Sequence, residues 1–160
     1  MEKLQGDPEY LEICRVVEEA HFRRGELVEA QEFEEQYLSL AEQNDRPSDV
    51  IESRLRLGYL LEASGNPDEA CRVLLGAGPV AKSTGSRLLE ARIDERLGYV
   101  YARFERWKEA RRSFQRALEV HSEIGDPLNT IRVYGALGML ALCTGQPQAG
   151  AASLDRKSVV

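Results

Sequence analysis

Residues 97–118 of the chain read LGYVYARFERWKEARRSFQRAL. Apolar side chains recur at helical spacing on both sides of a break at Glu105-Arg106, which predicts two amphipathic helices joined by a tight turn. Gly98 lies inside the first predicted helix, where glycine costs about 1 kcal/mol relative to alanine. We therefore expect the second helix to pack against bare backbone at this glycine, with Ala110 as its counterpart.

The same pattern recurs along the chain with a period of 40 residues. The pair Leu97-Gly98 is repeated as Leu57-Gly58 and Leu137-Gly138, and Val17-Glu18 is a degenerate first copy. A second register contains Ala30, Ala70, Ala110 and Gly150, and a third contains Glu34, Leu74, Phe114 and Leu154. These registers predict four repeats, at about 7–46, 47–86, 87–126 and 127–160, in a single domain over residues 1–160.

Glycine and proline mark the ends of the predicted helices. Gly25, Gly65 and Gly145 suit the left-handed position that follows the last turn of a helix. Pro67 and Pro147 suit the first helical position, whose N–H has no partner inside the helix. With two helices in each repeat, the sequence predicts about eight helices.

These features resemble the tetratricopeptide repeat family. The family pattern has a large residue before a glycine, an aromatic residue three positions later, and an alanine, an aromatic residue and an alanine in the second helix. The third copy carries all six positions, at Leu97, Gly98, Tyr101, Ala110, Phe114 and Ala117. The longer period resembles the variant of kinesin light chains, G-protein-signalling modulators and MalT-like bacterial regulators. The resemblance implies an all-α, right-handed α-solenoid of about four helix-turn-helix repeats.

Composition and charge narrow the classes of partner. The chain has 160 residues, of which 42% are apolar, and a net charge of −6. No run approaches the roughly 18 apolar residues of a membrane span, so we expect a cytoplasmic protein with no membrane partner. The four predicted repeats carry net charges of −8, −1, +1 and +2. Because no repeat carries a concentrated basic patch, nucleic-acid binding is not expected.

Catalysis is not expected either. The two histidines, His21 and His121, fall in different repeats with no nucleophile or acid paired to them, and no motif for a phosphate, metal or cofactor is present. We expect His21 to be a packed core residue and His121 to occupy the last turn of a helix, where a cation suits the helix dipole. The acidic run at Glu32, Glu34 and Glu35 is interpreted as a solvated helix face.

Three cysteines are scattered along the chain, at Cys14, Cys71 and Cys143. Their number is odd and their spacing does not match a metal site or a disulfide framework. We expect reduced thiols that act as small core hydrophobes.

The first helices of such repeats line the concave surface of the superhelix, so their residues outside the helix-pair core are candidates for binding. The predicted partner-binding residues are Arg56, Tyr59, Arg92, Arg96, Tyr99 and Arg132. The first repeat contributes Glu12, Arg15, Glu19, Phe22 and Arg23 to the same face. Arginine supplies charge-assisted donors and tyrosine supplies rigid amphipathic surface, which suits a peptide or helix with acidic side chains.

An alternative interpretation is that these arginines pair with glutamates of neighbouring helices. In the binding interpretation, Arg56→Glu with Arg96→Glu is expected to abolish peptide capture while leaving helicity and melting intact. The family's carboxylate clamp has an asparagine directly after the conserved glycine, and Tyr59, Tyr99 and Met139 stand there instead. We therefore do not expect that clamp activity.

Residues 133–143 contain no charge, although the last repeat of a solenoid usually has a polar outer face. This predicts self-association through Leu137, Met139 and Leu142, with a homodimer as one outcome. A third hypothesis is that the chain is the sensory or regulatory arm of a larger bacterial signalling protein.

Overall fold

The computed structural model describes residues 8–145 of the chain. In this range all regular structure is α-helical. The helices are α1 (Pro8–Arg23), α2 (Leu27–Gln43), α3 (Pro47–Ala63), α4 (Pro67–Ser83), α5 (Arg87–Arg103), α6 (Trp107–Glu123) and α7 (Pro127–Cys143). The predicted eighth helix, opening at Pro147, lies outside the described residues. None of the described helices is long and apolar enough to cross a membrane.

The helices follow one another at a fixed interval. From α2 to α7 each helix has 17 residues, and their first residues fall at positions 27, 47, 67, 87, 107 and 127. Each turn that directly follows a described helix contains a residue with positive φ. These residues are Gly25, Asp45, Gly65, Gly85, Glu105, Gly125 and Gly145. The predicted left-handed caps at Gly25, Gly65 and Gly145 are therefore confirmed. The repeat has an inner period of 20 residues, because both helices of a pair end in the same way.

Two compact units divide the chain between Gly85 and Ser86. Unit 1 contains α1 to α4, which pack in sequence order, α1 on α2, α2 on α3 and α3 on α4. Unit 2 contains α5, α6 and α7, in which α6 packs on both α5 and α7. The division coincides with the predicted boundary between the second and third repeats. A single domain over residues 1–160 stays a prediction.

Two glycines that recur at the 40-residue period, Gly58 and Gly98, allow close contact between the two helices of a repeat. A Cβ atom on Gly98 would lie 2.6 Å from the ring of Phe114, and one on Gly58 would lie 2.7 Å from Leu74. The prediction of packing against bare backbone is confirmed, but Ala110 is the wrong counterpart. The nearest atoms belong to the residue one helical turn further on, because only a large side chain reaches across to the glycine.

The first repeat fills these two positions with carboxylates. Glu18 stands in the register of Gly98, Glu34 stands in the register of Phe114, and each is only 3% exposed. The interpretation of residues 32–35 as a solvated face is thus wrong for Glu34, although Glu32 and Glu35 are exposed. A buried carboxylate needs a partner, and the site described below supplies it.

The expectation for the three cysteines holds at two positions and fails at the third. Cys14 and Cys71 are buried free thiols, as predicted. Cys143 is exposed, so the prediction of a core role is wrong there. It is the last residue of α7 and does not belong to the buried face of that helix.

Candidate partner-binding site

Unit 1 contains an open cavity on α1, with one wall supplied by α3. Its volume is about 500 Å³. The lining residues are Arg15, Val16, Glu19, Ala20, Arg23 and Arg56. Those from α1 are spaced by three or four residues, which places them on one side of the helix. Three guanidinium groups, one carboxylate and two small apolar side chains therefore meet in one place.

Arg56 forms ion pairs with the two buried carboxylates of the first repeat. Its Nη2 forms an ion pair with Glu18, and its Nε lies 3.3 Å from Oε2 of Glu34. The same Nη2 donates to Oε2 of Glu19 at 3.3 Å. One cation from α3 thus joins α1 and α2, which is the pairing between neighbouring helices that the sequence left as an alternative.

This arrangement changes what a mutation of Arg56 would report. Removing one partner of a buried ion pair is strongly destabilising, because it leaves a buried charge without compensation. Arg56→Glu would add a carboxylate beside Glu18 and Glu34. Contrary to the expectation from the sequence, we therefore expect charge reversal at Arg56 to lower the melting temperature.

The pKa values of two carboxyl groups around Arg56 are shifted in opposite directions. Burial raises the pKa of Glu34 above its ordinary value of 4.5, although the Ser53 hydroxyl and the Arg56 charge act in the opposite direction. The hydrogen bond from Arg23 lowers the pKa of Glu19. Glu19 is thus the carboxylate that faces the cavity in its ionised form.

Arg15 and Arg23 are the cavity cations supplied by α1. The guanidinium of Arg15 lies over the ring of Tyr37, 5.3 Å from its centroid. The side chain of Arg23 is 76% exposed, and its Nε donates to Oε1 of Glu19 at 2.7 Å. A ligand carboxylate could take the place of Glu19 on this exposed guanidinium.

Tyr59 is the other predicted binding residue of unit 1. It is 40% exposed, and its ring meets the edge of Phe22 with 5.4 Å between centroids. Phe22 lies on α1 and Tyr59 lies on α3, the first helices of neighbouring repeats. Their ring contact forms an apolar surface on the same unit as the cavity.

In unit 2 the predicted residues lie on α5 and α7. Arg132 Nε and Nη2 donate to the two carboxylate oxygens of Glu95, at 2.6 and 2.8 Å. Glu95 is 4% exposed, so Arg132 neutralises a buried carboxylate as Arg56 does in unit 1. Tyr99 packs against the core of α6 and α7, and burial raises its pKa. Arg92 and Arg96 are half-buried on α5.

The two histidines have structural surroundings. His21 is partly exposed, stacks on Phe33, and its Nδ1 lies 2.6 Å from Oε2 of Glu26. His121 occupies the last turn of α6, as predicted, but it is fully buried, with Glu95 Oε2 at 3.6 Å. Within residues 8–145 no group of three or more His, Cys, Asp or Glu side chains is placed to hold a metal ion.

The residues predicted for self-association separate onto two sides of α7. Leu137 packs against the core formed with α6. Met139 and Leu142 are 64% and 62% exposed, and Leu128 and Ile131 extend the same exposed side. The prediction for Leu137 is corrected, because the uncharged stretch 133–143 includes both sides of the helix.

The sequence predicted that Arg15 and Arg23 lie on the binding face, but the predicted partner-binding set favoured arginines that recur every 40 residues. The structure brings these two residues, together with Arg56, to the cavity. The burial of Glu18 and Glu34 was signalled, since both occupy registers filled elsewhere by buried residues.

Comparison with known proteins supports the repeat architecture. Residues 89–152 match the family model described as tetratricopeptide repeat. The structure is similar to that of BtubC from P. vanneervenii, with a TM-score of 0.82 and 20% identity, over 94% of this chain and 63% of that one. It is similar to the apo form of RapI, with a TM-score of 0.83 and 14% identity, over 97% of this chain and 58% of that one.

A putative kinesin light chain from Podosopora anserina, with nearly identical TPR-like repeats, is a further structural match. Its TM-score is 0.74 at 19% identity, over 94% of this chain and 74% of that one. At these identities the likeness establishes the fold, an all-α solenoid of repeats.

No curated protein matches the sequence. The chain spans 63% of the length of BtubC and 58% of the length of RapI. Its 40-residue period, the family match over residues 89–152 and the fold shared with solved TPR-like structures agree with one another. The described part of the chain is thus an all-α solenoid of helix pairs, and residues 89–152 match the tetratricopeptide repeat family.

Proposed function

We propose that this protein is a non-catalytic interaction module that binds an acidic peptide segment of a partner protein in the cavity of unit 1. Tetratricopeptide repeats generally mediate contacts between proteins. The observation that carries the proposal is the meeting of Arg15, Arg23 and Arg56 around Val16 and Ala20 in one cavity of about 500 Å³. Guanidinium groups bind carboxylates through paired, charge-assisted hydrogen bonds, and the apolar pair offers contact area between them.

The three arginines have different roles in this proposal. Arg56 is held by Glu18 and Glu34, so it positions the cavity wall and contributes little net attraction. Arg15 and Arg23 supply the attraction for a ligand carboxylate. Glu19 competes with that carboxylate for Arg23, because it already accepts a hydrogen bond from Nε.

Further contacts on first helices complete the proposed surface, each within its own unit. In unit 1, Tyr59 offers a 40% exposed ring beside Phe22. In unit 2, the contacts are Arg92, Arg96, Tyr99 and Arg132. Arg132, like Arg56, is already engaged with a buried carboxylate, so we expect it to matter more for folding than for affinity.

The test measures binding of a short fluorescent peptide in which glutamate and leucine alternate, by fluorescence anisotropy at low salt. We expect Arg15→Ala and Arg23→Ala each to weaken binding about tenfold, the effect of losing one charge-assisted contact. Glu19→Gln should strengthen binding, because it removes the competing carboxylate. The matched control is Arg72→Ala, an exposed arginine of α4 whose partner is Glu69.

Circular dichroism of each variant shows whether the fold is retained. Equal peptide affinities for wild type, Arg15→Ala and Arg23→Ala would contradict binding in the cavity. Binding that did not weaken as salt was raised would remove the electrostatic basis of the proposal.

A further inference from the structure

The residues that α1 contributes to the cavity of unit 1 run along the helix from Arg15 to Arg23. Both guanidinium groups are displaced toward the start of α1. That of Arg23 contacts Glu19, one turn earlier, and that of Arg15 lies over Tyr37, which packs in the core with Cys14. The two cations are therefore separated by about the rise of eight helical residues, which is about 12 Å. One ligand carboxylate cannot bind both of them closely.

The stretch of α1 between these two cations has a different chemistry. Val16 and Ala20 line the cavity there, and both are exposed. Glu19 lies between them in sequence and accepts hydrogen bonds from Arg23 Nε and Arg56 Nη2. A ligand carboxylate placed in the middle would be repelled by Glu19, whereas an apolar side chain would contact Val16 and Ala20. Along α1 the cavity thus presents a cation, an apolar surface and a second cation.

This order fits an extended peptide better than a helical one. An extended strand advances about 3.3 Å per residue, and its side chains alternate between two faces. Two residues four positions apart are then about 13 Å apart on one face, and the residue midway between them lies on that face as well. In an α-helix the same distance separates residues eight positions apart, which differ by about 80° around the helix axis.

We propose that the peptide bound in this cavity is extended and carries two acidic residues four positions apart, with an apolar residue midway between them. The acidic residues contact Arg15 and Arg23, one each, and the apolar residue contacts Val16 and Ala20. This inference rests on the proposed function, because it specifies which acidic segments the cavity of unit 1 accepts.

The test compares nine-residue peptides with blocked ends, by isothermal titration calorimetry with the full 160-residue chain at low salt. In SSESLSESS the glutamates are four positions apart, with leucine midway between them. SSSELESSS and ESSSLSSSE have the same composition, but their glutamates are two and eight positions apart. We expect SSESLSESS to bind at least about tenfold more tightly than either, because the others reach only one guanidinium group when extended.

A fourth peptide separates the proposed order from net charge. SSESESESS has a third glutamate in place of leucine, so simple attraction to positive groups favours it. We expect it to bind about fourfold more weakly than SSESLSESS, which is the repulsion between two carboxylates about 5 Å apart in water, because its middle carboxylate faces Glu19. In Glu19→Gln this difference should narrow.

Two variants at neighbouring arginines show whether the spacing is read by α1. In Arg23→Ala one guanidinium group is lost, so SSESLSESS and SSSELESSS should bind equally. Arg24→Ala is the matched control, since Arg24 directly follows α1 and pairs with Glu26, and it should keep the tenfold preference. Both arginine side chains are exposed, at 76% and 70%, and circular dichroism checks that the variants are folded.

Equal affinities for the three peptides of the same composition would overturn the spacing and leave acidic-peptide binding in place. Tightest binding of ESSSLSSSE would overturn the extended conformation in favour of a helical ligand. A preference that persisted in Arg23→Ala would contradict the assignment to this pair of arginines. If every glutamate peptide bound as weakly as SSQSLSQSS, both this inference and the proposed function would be wrong.

Discussion

Glu105 adopts φ of +60° at a position where most other turns of the chain have glycine. A side chain with Cβ pays about 1 kcal/mol or more in the left-handed region, and glycine does not. We therefore expect Glu105→Gly to stabilise the protein by about 0.5–1 kcal/mol. Urea unfolding followed by circular dichroism measures this change.

The control for Glu105 is the same substitution inside a helix. Glu119 lies in α6 and is exposed. Glu119→Gly should destabilise by about 1 kcal/mol, since glycine has poor helix propensity. A loss of stability in both variants would contradict the role assigned to the left-handed turn position.

Two glycines test the close packing between the helices of a repeat. Gly98→Ala places a Cβ 2.6 Å from Phe114, whereas Gly135→Ala, in α7, places one with nothing within 4 Å. We expect the first substitution to destabilise by about 2 kcal/mol through overpacking, and the second to stabilise by about 1 kcal/mol through helix propensity. Thermal unfolding of both variants provides the comparison, and equal effects would contradict the packing argument.

The helices themselves could be predicted from sequence because their signals are local. Periodic apolar residues, the glycine caps and Pro67 fix where α4 begins and where its predecessor ends. The burial of Glu34 in α2 could not be read from local polarity, since its partner Arg56 is supplied by α3. Only the 40-residue register, which aligns Glu34 with Leu74, carried the information.

We expect the free energy of unfolding to depend on pH through Glu34, which lies in α2 and pairs with Arg56 of α3. Because burial raises the pKa of Glu34 above 4.5, the folded state holds more protons than the unfolded state between 4.5 and the raised value. Stability therefore falls as pH rises through this interval. Glu34→Gln lacks the titrating group, so its advantage over wild type should grow with pH, by up to about 1.4 kcal/mol per unit of pKa shift.

Urea unfolding of wild type and Glu34→Gln at a series of pH values measures this difference. Well below pH 4.5 the residue is uncharged in both states of wild type, so that range is the internal reference. A difference that stayed constant across the series would contradict the assigned burial effect.

For the molecule as a whole, the 40-residue period predicted the repeated helix pairs, but it did not predict which arginines pair with buried carboxylates. Arg56 and Arg132 recur in matching environments because each neutralises a buried carboxylate in its own unit. Arg15 and Arg23 line the cavity from α1. The spacing of residues shows a shared face, whereas net attraction depends on the side chains that surround each charge.

We propose that Arg15 and Arg23 give the cavity of unit 1 a preference for acidic peptides. A double charge reversal, Arg15→Glu with Arg23→Glu, tests this proposal. The measurement compares the affinities of two fluorescent peptides, one alternating glutamate with leucine and the other alternating lysine with leucine. We expect wild type to prefer the glutamate peptide and the folded double variant to prefer the lysine peptide. An unchanged preference in the folded double variant would contradict it.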